Sequence, residues 1–564
     1  MRTARQARWE SDRLALIPAS VGFILRRGHQ ARLGQVGPAS TSPWYIGNQW
    51  LAEQSNILRA AHIWKAFDES IIRDTAENHA RLAARLPTLE KRVAFARSQH
   101  IEPPDARPMT DAGKLLRLAD PQWWRRGCRK AWTRTAEQSM RALGVVRRQG
   151  QVYVSDEAVR WRTGAELKQH QFLQSHELVS DEGVQLSLLA VAEKSQANPK
   201  LRRGELMVRA RGFQELAEQH HHGCDFWTLT APSAFHPHVA TGGPNPRYQG
   251  FTAREAQGWL MRLWARARAW CKRKGVLVYG FRVAEPHHDG TPHWHLALFG
   301  RPTHLELLRA YLPRLWLSEY ADEPGARQHR TTVRSMDPAR GEAVGYLAKY
   351  VSKNIDGEGF TGADAGDEGG TVRDNTRRVK TWATLHGIRQ FQQIGGPAVG
   401  LYREARRLRE VQPDPDVERC RAAADAGEWA RFVNAVGGIH AGRRTHLRLE
   451  KTETGEVNKY GELRPARIIG LRYASAWVLT RLTRWRVQRC ARISAGGGFS
   501  RSPCFSRAPA SDSAPGSVKP SAFSALTLDL FRPWTRGNNC TGAPADGAPA
   551  SWTNPQESSQ APPR

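Results

Sequence analysis

Hydrophobic and polar positions follow two different rhythms along this chain. From about Trp50 to Arg211 the apolar residues recur at helical spacing among Arg, Ala, Leu and Glu. Stretches such as Ala76 to Leu86 and Ala165 to Glu193 read as amphipathic helices without strand-like alternation. Between about Gly212 and Leu408 the texture becomes short β-rich runs separated by Pro, Gly and Asp turns. Phe226 to Thr230 reads as a strand, and Thr252 to Lys274 as a helix opened by a capping box at Thr252 and Glu255. Val276 to Glu285 and His293 to Phe299 read as two strands joined by a tight turn at Asp289-Gly290, which makes them antiparallel neighbours. A helix around Leu305 to Tyr320, a strand at Thr331 to Val333 and a helix from Glu342 to Asn354 complete the series. Strand, helix, strand, strand, helix, strand, helix predicts an α+β fold, an antiparallel sheet with helices on one face.

Beyond Pro413 the pattern weakens. Val417 to Ala435 and Arg472 to Arg492 are expected to be helices flanking basic, strand-like pieces, and from Ser494 onward Gly, Ser, Pro and Ala predict a disordered tail. The expected organisation is a poorly ordered basic N-terminus over 1–49, a helical accessory region over 50–211, a sheet-bearing domain over 212–408, a basic region over 409–493 and the tail over 494–564.

Charge narrows the class of partner. The 564 residues carry a formal net charge of +30, an excess that repels itself unless a polyanion neutralises it, so nucleic acid is the expected partner. No uninterrupted apolar run of membrane-spanning length occurs, and a membrane role is not expected. The apolar segment Leu14 to Leu25 is broken by Pro18, is flanked by Arg26-Arg27 and precedes no clear cleavage pattern, so it is not read as an export signal. Seven scattered cysteines without a C-x-x-C pair argue against a zinc ribbon or a disulfide framework, and for a reducing cytoplasm. Basic and aromatic residues interleave at Trp123-Trp124-Arg125-Arg126 and Arg129-Lys130-Ala131-Trp132; this suits phosphates and stacked bases, and equally a helix core with a basic outer face.

The strand Pro292 to Phe299 carries the clearest chemistry. Alternate strand residues share a face, so His293 and His295 point together while Trp294, Leu296 and Leu298 point into a core. Imidazoles suit divalent metals, and a carboxylate is needed for a hard ion such as Mg²⁺ or Mn²⁺. Glu285, across the Asp289-Gly290 turn, is the expected third ligand. His287 and His288 lie in the turn and are read as loop or DNA-facing residues, and the run His220 to His222 is not read as a ligand set.

Tyr346 and Tyr350 are four residues apart on the helix that follows and share a face, each with a lysine three residues later, Lys349 and Lys353. Ammonium groups nearby would favour the phenolate and hold phosphate, which makes these tyrosines candidate nucleophiles. A metal-polarised phosphodiester attacked by tyrosine is cut without loss of bond energy, because a phosphotyrosine replaces the bond.

Together these motifs resemble the HUH endonucleases, and more narrowly the bacteriophage replication gene A protein family. The first family motif resembles Phe226 to Ser233, the second Glu285 to His295 and the third Tyr346 to Lys353, and a later stretch, Gly387 to Gly396, is also similar to this family. The resemblance covers about Val179 to Leu408 well, the preceding helical region more weakly and the two ends hardly at all. It implies an HUH nicking domain over 212–408, a five-stranded antiparallel sheet with the His pair on its central strand, and a Mg²⁺ or Mn²⁺ ion. It also implies rolling-circle replication from a nicked origin, with a covalent 5′-phosphotyrosine, a free 3′-hydroxyl as primer, and two tyrosines that alternate. Its implied partners are single-stranded and origin DNA together with a host helicase and polymerase, in the bacterial host cytoplasm. A borrowed motor fits the absence of a G-x-x-x-x-G-K-[ST] motif. A two-tyrosine HUH transposase would share the whole site, and a non-catalytic basic DNA-binding protein would use the same residues for packing.

Overall fold

The computed structural model describes residues 4–490 apart from 16, 18, 35–43, 61–64, 106–108, 341, 356, 358–370, 443 and 474–475, so the expected tail over 494–564 lies outside the described residues. The first part of the chain is helical: α1 (Ala4–Leu14), α2 (Ala19–Gln30), α3 (Tyr45–Ala60), α4 (Glu69–Arg85), α5 (Leu89–Ser98), α6 (Asp111–Leu118) and α7 (Pro121–Ala142). Asp68, Thr88, Thr110 and Asp120 start four of these by accepting the free backbone N–H groups of the first turn. Residues 1–49, expected to be poorly ordered, contain α1, α2 and the start of α3, and Leu14, Val21 and Leu25 are buried against Leu51, Leu58, Ala136 and Met140. At the other end of α7, Trp124 and Cys128 pack on Ile72, Ala76 and Ala80 of α4. Trp124 is fully buried and donates to Leu118 O at 2.7 Å, while Arg125 and Arg129 clamp Glu69. Of the two readings of this basic-aromatic stretch, helix packing is therefore the one observed for Trp124.

The expected helix over Ala165 to Glu193 is instead four elements: the end of α8 (Asp156–Ser175), then β1 (His176–Ser180), β2 (Gln185–Ser187) and α9 (Leu188–Glu193). Gly183, at φ 82°, makes the β1–β2 turn that helical spacing concealed. Next, α10 (Pro199–Gln219) runs across residue 211, the expected domain boundary.

The sheet is built from β3 (Gly223–Thr230), β4 (Val278–Pro286), β5 (Pro292–Gly300), β6 (Thr331–Met336) and β7 (Phe391–Ile394), in the order β6-β3-β5-β4-β7 with every pair antiparallel. Its centre is β5, as the five-stranded expectation required. Between strands lie α11 (Ala253–Lys274), α12 (Pro302–Trp316), the single turn α13 (Ala326–His329), α14 (Glu342–Ile355) and α15 (Val372–His386). The capping box of α11 is formed, Thr252 and Glu255 each satisfying the other's backbone.

Helices cover both faces of the sheet, not one. On one face Phe226, Phe281, Ala297 and Phe299 pack with Phe213 of α10 and Leu347 and Val351 of α14. On the other, Trp227, Trp294, Leu296 and Leu298 pack with Trp259 and Leu263 of α11, Leu312 of α12 and Trp382 of α15. The cause is legible in β4 and β5, which are apolar at nearly every position and so bury both faces. Each fully buried side chain such as Leu296 or Phe281 contributes roughly 1.5–3 kcal/mol.

C-terminal to the sheet, α16 (Val399–Ala405), α17 (Pro415–Ala426) and α18 (Trp429–Ala435) join the α10 side of the core. Gly427, at φ 78°, ends α17 and divides the helix expected over Val417 to Ala435. Among the described residues of 472–490 the helix expected over Arg472 to Arg492 is not formed, and 491–492 lie outside the described residues. β8 (Leu447–Thr452), β9 (Arg467–Tyr473) and β10 (Ala476–Leu479) make a separate antiparallel sheet, and β11 (Trp485–Arg489) pairs with β1. In β11 Trp485 and Val487 alternate with Arg486 and Gln488, and β10 is the apolar run Trp477-Val478-Leu479, so both have strand character hidden by the arginines around them. Among the described residues no helix is long and apolar enough to cross a membrane.

Candidate metal centre

The β4–β5 hairpin positions the centre. Glu285 pairs directly with His293, and His295 lies two residues along β5, beside Thr228 of β3. The turn between the strands is held by three hydrogen bonds from two side chains. Arg141, fully buried at the end of α7, donates to Asp289 O at 2.7 Å and Thr291 Oγ1 at 2.9 Å, and Trp382 donates to Gly290 O at 2.8 Å. Gly290, at φ 78°, has the Tyr153 carbonyl 2.9 Å from where a Cβ would stand, so a side chain would be both strained and blocked. The helical region therefore braces the hairpin that carries the cluster.

Glu285, His293 and His295 offer ligand atoms that all lie within 4.8 Å of one another. The Nε2 atoms of His293 and His295 are 2.9 Å apart, and Glu285 Oε2 is 3.5 Å from His295 Nε2. Two imidazole nitrogens and a carboxylate converging on one point fit a divalent cation. Burial raises the Glu285 carboxyl, but His295, Lys353 and Asn354 outweigh it and the net direction is down, toward the carboxylate. Burial, His287 and His295 hold His293 well below the usual imidazole range, which keeps it neutral and able to coordinate.

The tyrosine helix lies against this cluster. The Tyr350 ring is 4.3 Å from the His295 ring, both tyrosine rings contact Phe226, and the two are 5.7 Å apart. Both are half-buried; Lys349 is exposed and Lys353 half-buried, its Nζ 6.0 Å from the Tyr153 ring. The direction of the Tyr350 phenol is opposite to that expected from its lysines. Burial first, then Tyr346 and Glu285, push it well above the ordinary value, while the charge of Lys353 is felt by Glu285 and His293.

Three supporting residues were missed from the sequence. Thr228 Oγ1 is 3.1 Å from His295 Nδ1, an outer partner that orients a ligating imidazole. Asn354 donates to Glu285 Oε1 and to Tyr350 O, and Gln390 donates to Asn354 Oδ1 at 3.2 Å. The i, i+4 spacing of Tyr350 and Asn354 was the available signal for Asn354. His287 and His288 lie in the loop between β4 and β5, as expected; His287 is half-buried with its ring 4.1 Å from His293, and His288 stacks on Tyr153. His222 lies at the far end of β3, bonded to Tyr279 Oη, away from the cluster.

The family model described as bacteriophage replication gene A protein (GPA) matches residues 55–358, more than half of the chain and all of the cluster just described. The chain belongs to the bacteriophage replication gene A protein family. Among curated relatives of this gene A chain, the probable replication protein P12 of Pseudoalteromonas phage PM2 is 37% identical over 383 residues, covering 66% of the chain and 59% of the relative. The replication gene A protein of Escherichia phage 186 is 36% identical over 394 residues, covering 67% and 56%. A probable replication endonuclease from a prophage-like region of Shigella boydii is 33% identical over 446 residues, covering 76% and 52%. The chain thus spans about half to three-fifths of the length of these relatives. No solved structure matches it.

Proposed function

We propose that this chain initiates phage DNA replication as a rolling-circle nickase of the HUH type, with residues 212–408 as the nicking domain. The observation that carries the reading is the seating of α14 on the Glu285-His293-His295 cluster, with the Tyr350 ring 4.3 Å from His295. Mg²⁺ or Mn²⁺ held by these three residues would draw electron density from a scissile phosphodiester. Asn354 holds Glu285 and the backbone of Tyr350 together, so ligand and nucleophile are positioned as one unit. A tyrosine hydroxyl attacks phosphorus, its proton is lost, and the bond to the 3′-oxygen breaks. The products are a 5′-phosphotyrosine and, after protonation, a free 3′-hydroxyl that primes synthesis. Lys349 and Lys353 hold the phosphate near the tyrosines. The second tyrosine cuts the regenerated origin, and the new 3′-hydroxyl displaces the first tyrosine, which rejoins the strand. Replication names among the relatives and the basic charge support single-stranded and origin DNA as substrate, with a host helicase and polymerase as partners in the bacterial cytoplasm.

The test is adduct formation. Purified protein with Mn²⁺ or Mg²⁺ should attach covalently to the 5′ side of a nick in single-stranded DNA of the genome that encodes it. A Tyr346→Phe, Tyr350→Phe protein that still forms the adduct refutes the assignment. His293→Ala with His295→Ala should abolish cleavage and leave salt-sensitive DNA binding, which rests on Lys and Arg.

A further inference from the structure

The stretch Gly387 to Gly396 carries part of the family resemblance, yet only Gln390 touches the centre described above. It forms the edge strand β7 and the approach to it, and among the described residues β7 pairs only with β4. A polar groove of about 1430 Å³ runs along this edge. Its lining is strongly basic: Arg268 of α11, Lys380 of α15, Arg389, and Arg209 and Arg403 beyond the strand, with Glu166 and Glu205 as its acidic residues. Glu205 is engaged by Arg403 at 2.6 Å and Arg209 at 3.5 Å, which leaves the positive excess uncompensated by it. Buried Arg282, on the strand beside β7, is pushed down to about 10, first by burial and then by Arg389 and Arg268. Like charges have therefore been gathered here against their mutual repulsion, as at surfaces that meet phosphates.

The two glutamines of β7 differ. Gln393 is tied into the fold, accepting from Arg209 at 3.0 Å and donating to Gly395 O and Pro397 O. Gln392, paired with Arg282, lines the groove half-buried, and its amide makes no hydrogen bond among the described residues. An amide can donate to and accept from a base edge at once. The groove is linked to the cluster through side chains: Gln390 lines it and donates to Asn354, which donates to Glu285.

We propose that the groove along the outer edge of β7 carries the single strand flanking the scissile phosphate, with Arg268, Lys380 and Arg389 holding its phosphates and Gln392 contacting a base. This rests on the reading of the adjoining cluster as a nicking centre. It is tested on the full chain in EDTA, where no cutting occurs, by fluorescence anisotropy with a labelled thirty-nucleotide oligo-dT across a NaCl series. The triple variant Arg268→Ser, Lys380→Ser, Arg389→Ser should bind at least tenfold more weakly. The slope of log K against log salt should shrink by about 2, at about 0.7 per phosphate contact for single strands. A charge-matched control, Arg81→Ser, Arg85→Ser, Lys91→Ser, on exposed positions of the helical region, should change affinity less than twofold. Equal effects in the two variants, or none in either, overturn the groove assignment. As a check independent of folding in the triple variant, p-benzoylphenylalanine in place of Gln392 should cross-link to the oligonucleotide on illumination. No cross-link from a protein that still binds DNA also overturns it. Wild-type protein that binds through the groove but forms no tyrosine adduct with Mn²⁺ would sink the nicking reading alone.

Discussion

Thr228→Val isolates what an outer partner does for the proposed metal centre. Valine keeps the β-branched shape on β3 and removes one oxygen, the one 3.1 Å from His295 Nδ1. A ligating His295 uses Nε2, the nitrogen that faces His293 and Glu285, so its proton must sit on Nδ1 and be accepted by Thr228. His295 is only 7% exposed, so water does not readily replace the lost acceptor. Leaving a buried donor unsatisfied costs about 1–3 kcal/mol. The same interval emerges from metal sites, where loss of an outer partner weakens binding roughly 10–100-fold. We therefore expect Mn²⁺ affinity, measured by calorimetric titration of metal-free protein, to fall by about one to two orders of magnitude. The circular dichroism spectrum should be unchanged, and Thr228→Ser should restore most of the affinity. A Val variant that binds Mn²⁺ within twofold of wild type refutes the argument, because His295 would then be oriented by packing alone.

Three further outcomes follow from the geometry. Tyr350 rests on His295 and Tyr346 lies a turn away, so Tyr350→Phe should slow the first cleavage, followed by gel shift of the covalent adduct, more than Tyr346→Phe does; the reverse ranking would assign the opening cut to Tyr346. Glu137 is fully buried and pushed up to about 7, first by burial, against the pull of Ser155. Its folded form holds a proton that the unfolded chain releases near pH 4.5, so its effect is a loss of stability as pH rises from about 4.5 to about 7. Glu137→Gln should flatten that window in urea midpoints read against pH, and an unchanged slope would show that Glu137 ionises normally. Asp225 is fully buried under a two-pronged contact with Arg309, at 2.6 and 2.9 Å. Arg309→Ala should destabilise by roughly 3 kcal/mol in urea unfolding, since it strands a buried carboxylate, and a loss below about 0.5 kcal/mol would mean that the pair is solvent-screened.

The convergence of Glu285, His293 and His295 was legible because its geometry is local. An Asp-Gly turn sets the register of β4 and β5, and that register alone brings Glu285 beside His293. The capping box of α11 and the shared face of Tyr346 and Tyr350 were readable for the same reason. What could not be read depends on partners far along the chain. Thr228 acquires its role only when β3 lies beside β5, more than sixty residues away. Ala476–Leu479 and Trp485–Arg489 form strands because β9 and β1 stand ready to pair with them, a tertiary effect that overrides the helical leaning of Arg and Leu. The second covered face of the sheet was within reach, since the near-continuous apolar run of β4 carries that message, but alternation around the two histidines drew attention to one face.

The pairing of β1 with β11 sets a clock on synthesis. Ser180 pairs with Trp485, 305 residues later, so β1 leaves the ribosome long before its outer partner exists. At about 5–20 residues per second, the nascent chain waits roughly 15–60 s with that edge of the β1–β2 hairpin open. During that interval the exposed edge can pair with another chain. A strain that slows translation between Ser180 and Trp485 should therefore accumulate more aggregated protein, whereas the same delay placed before β1 should have no such effect.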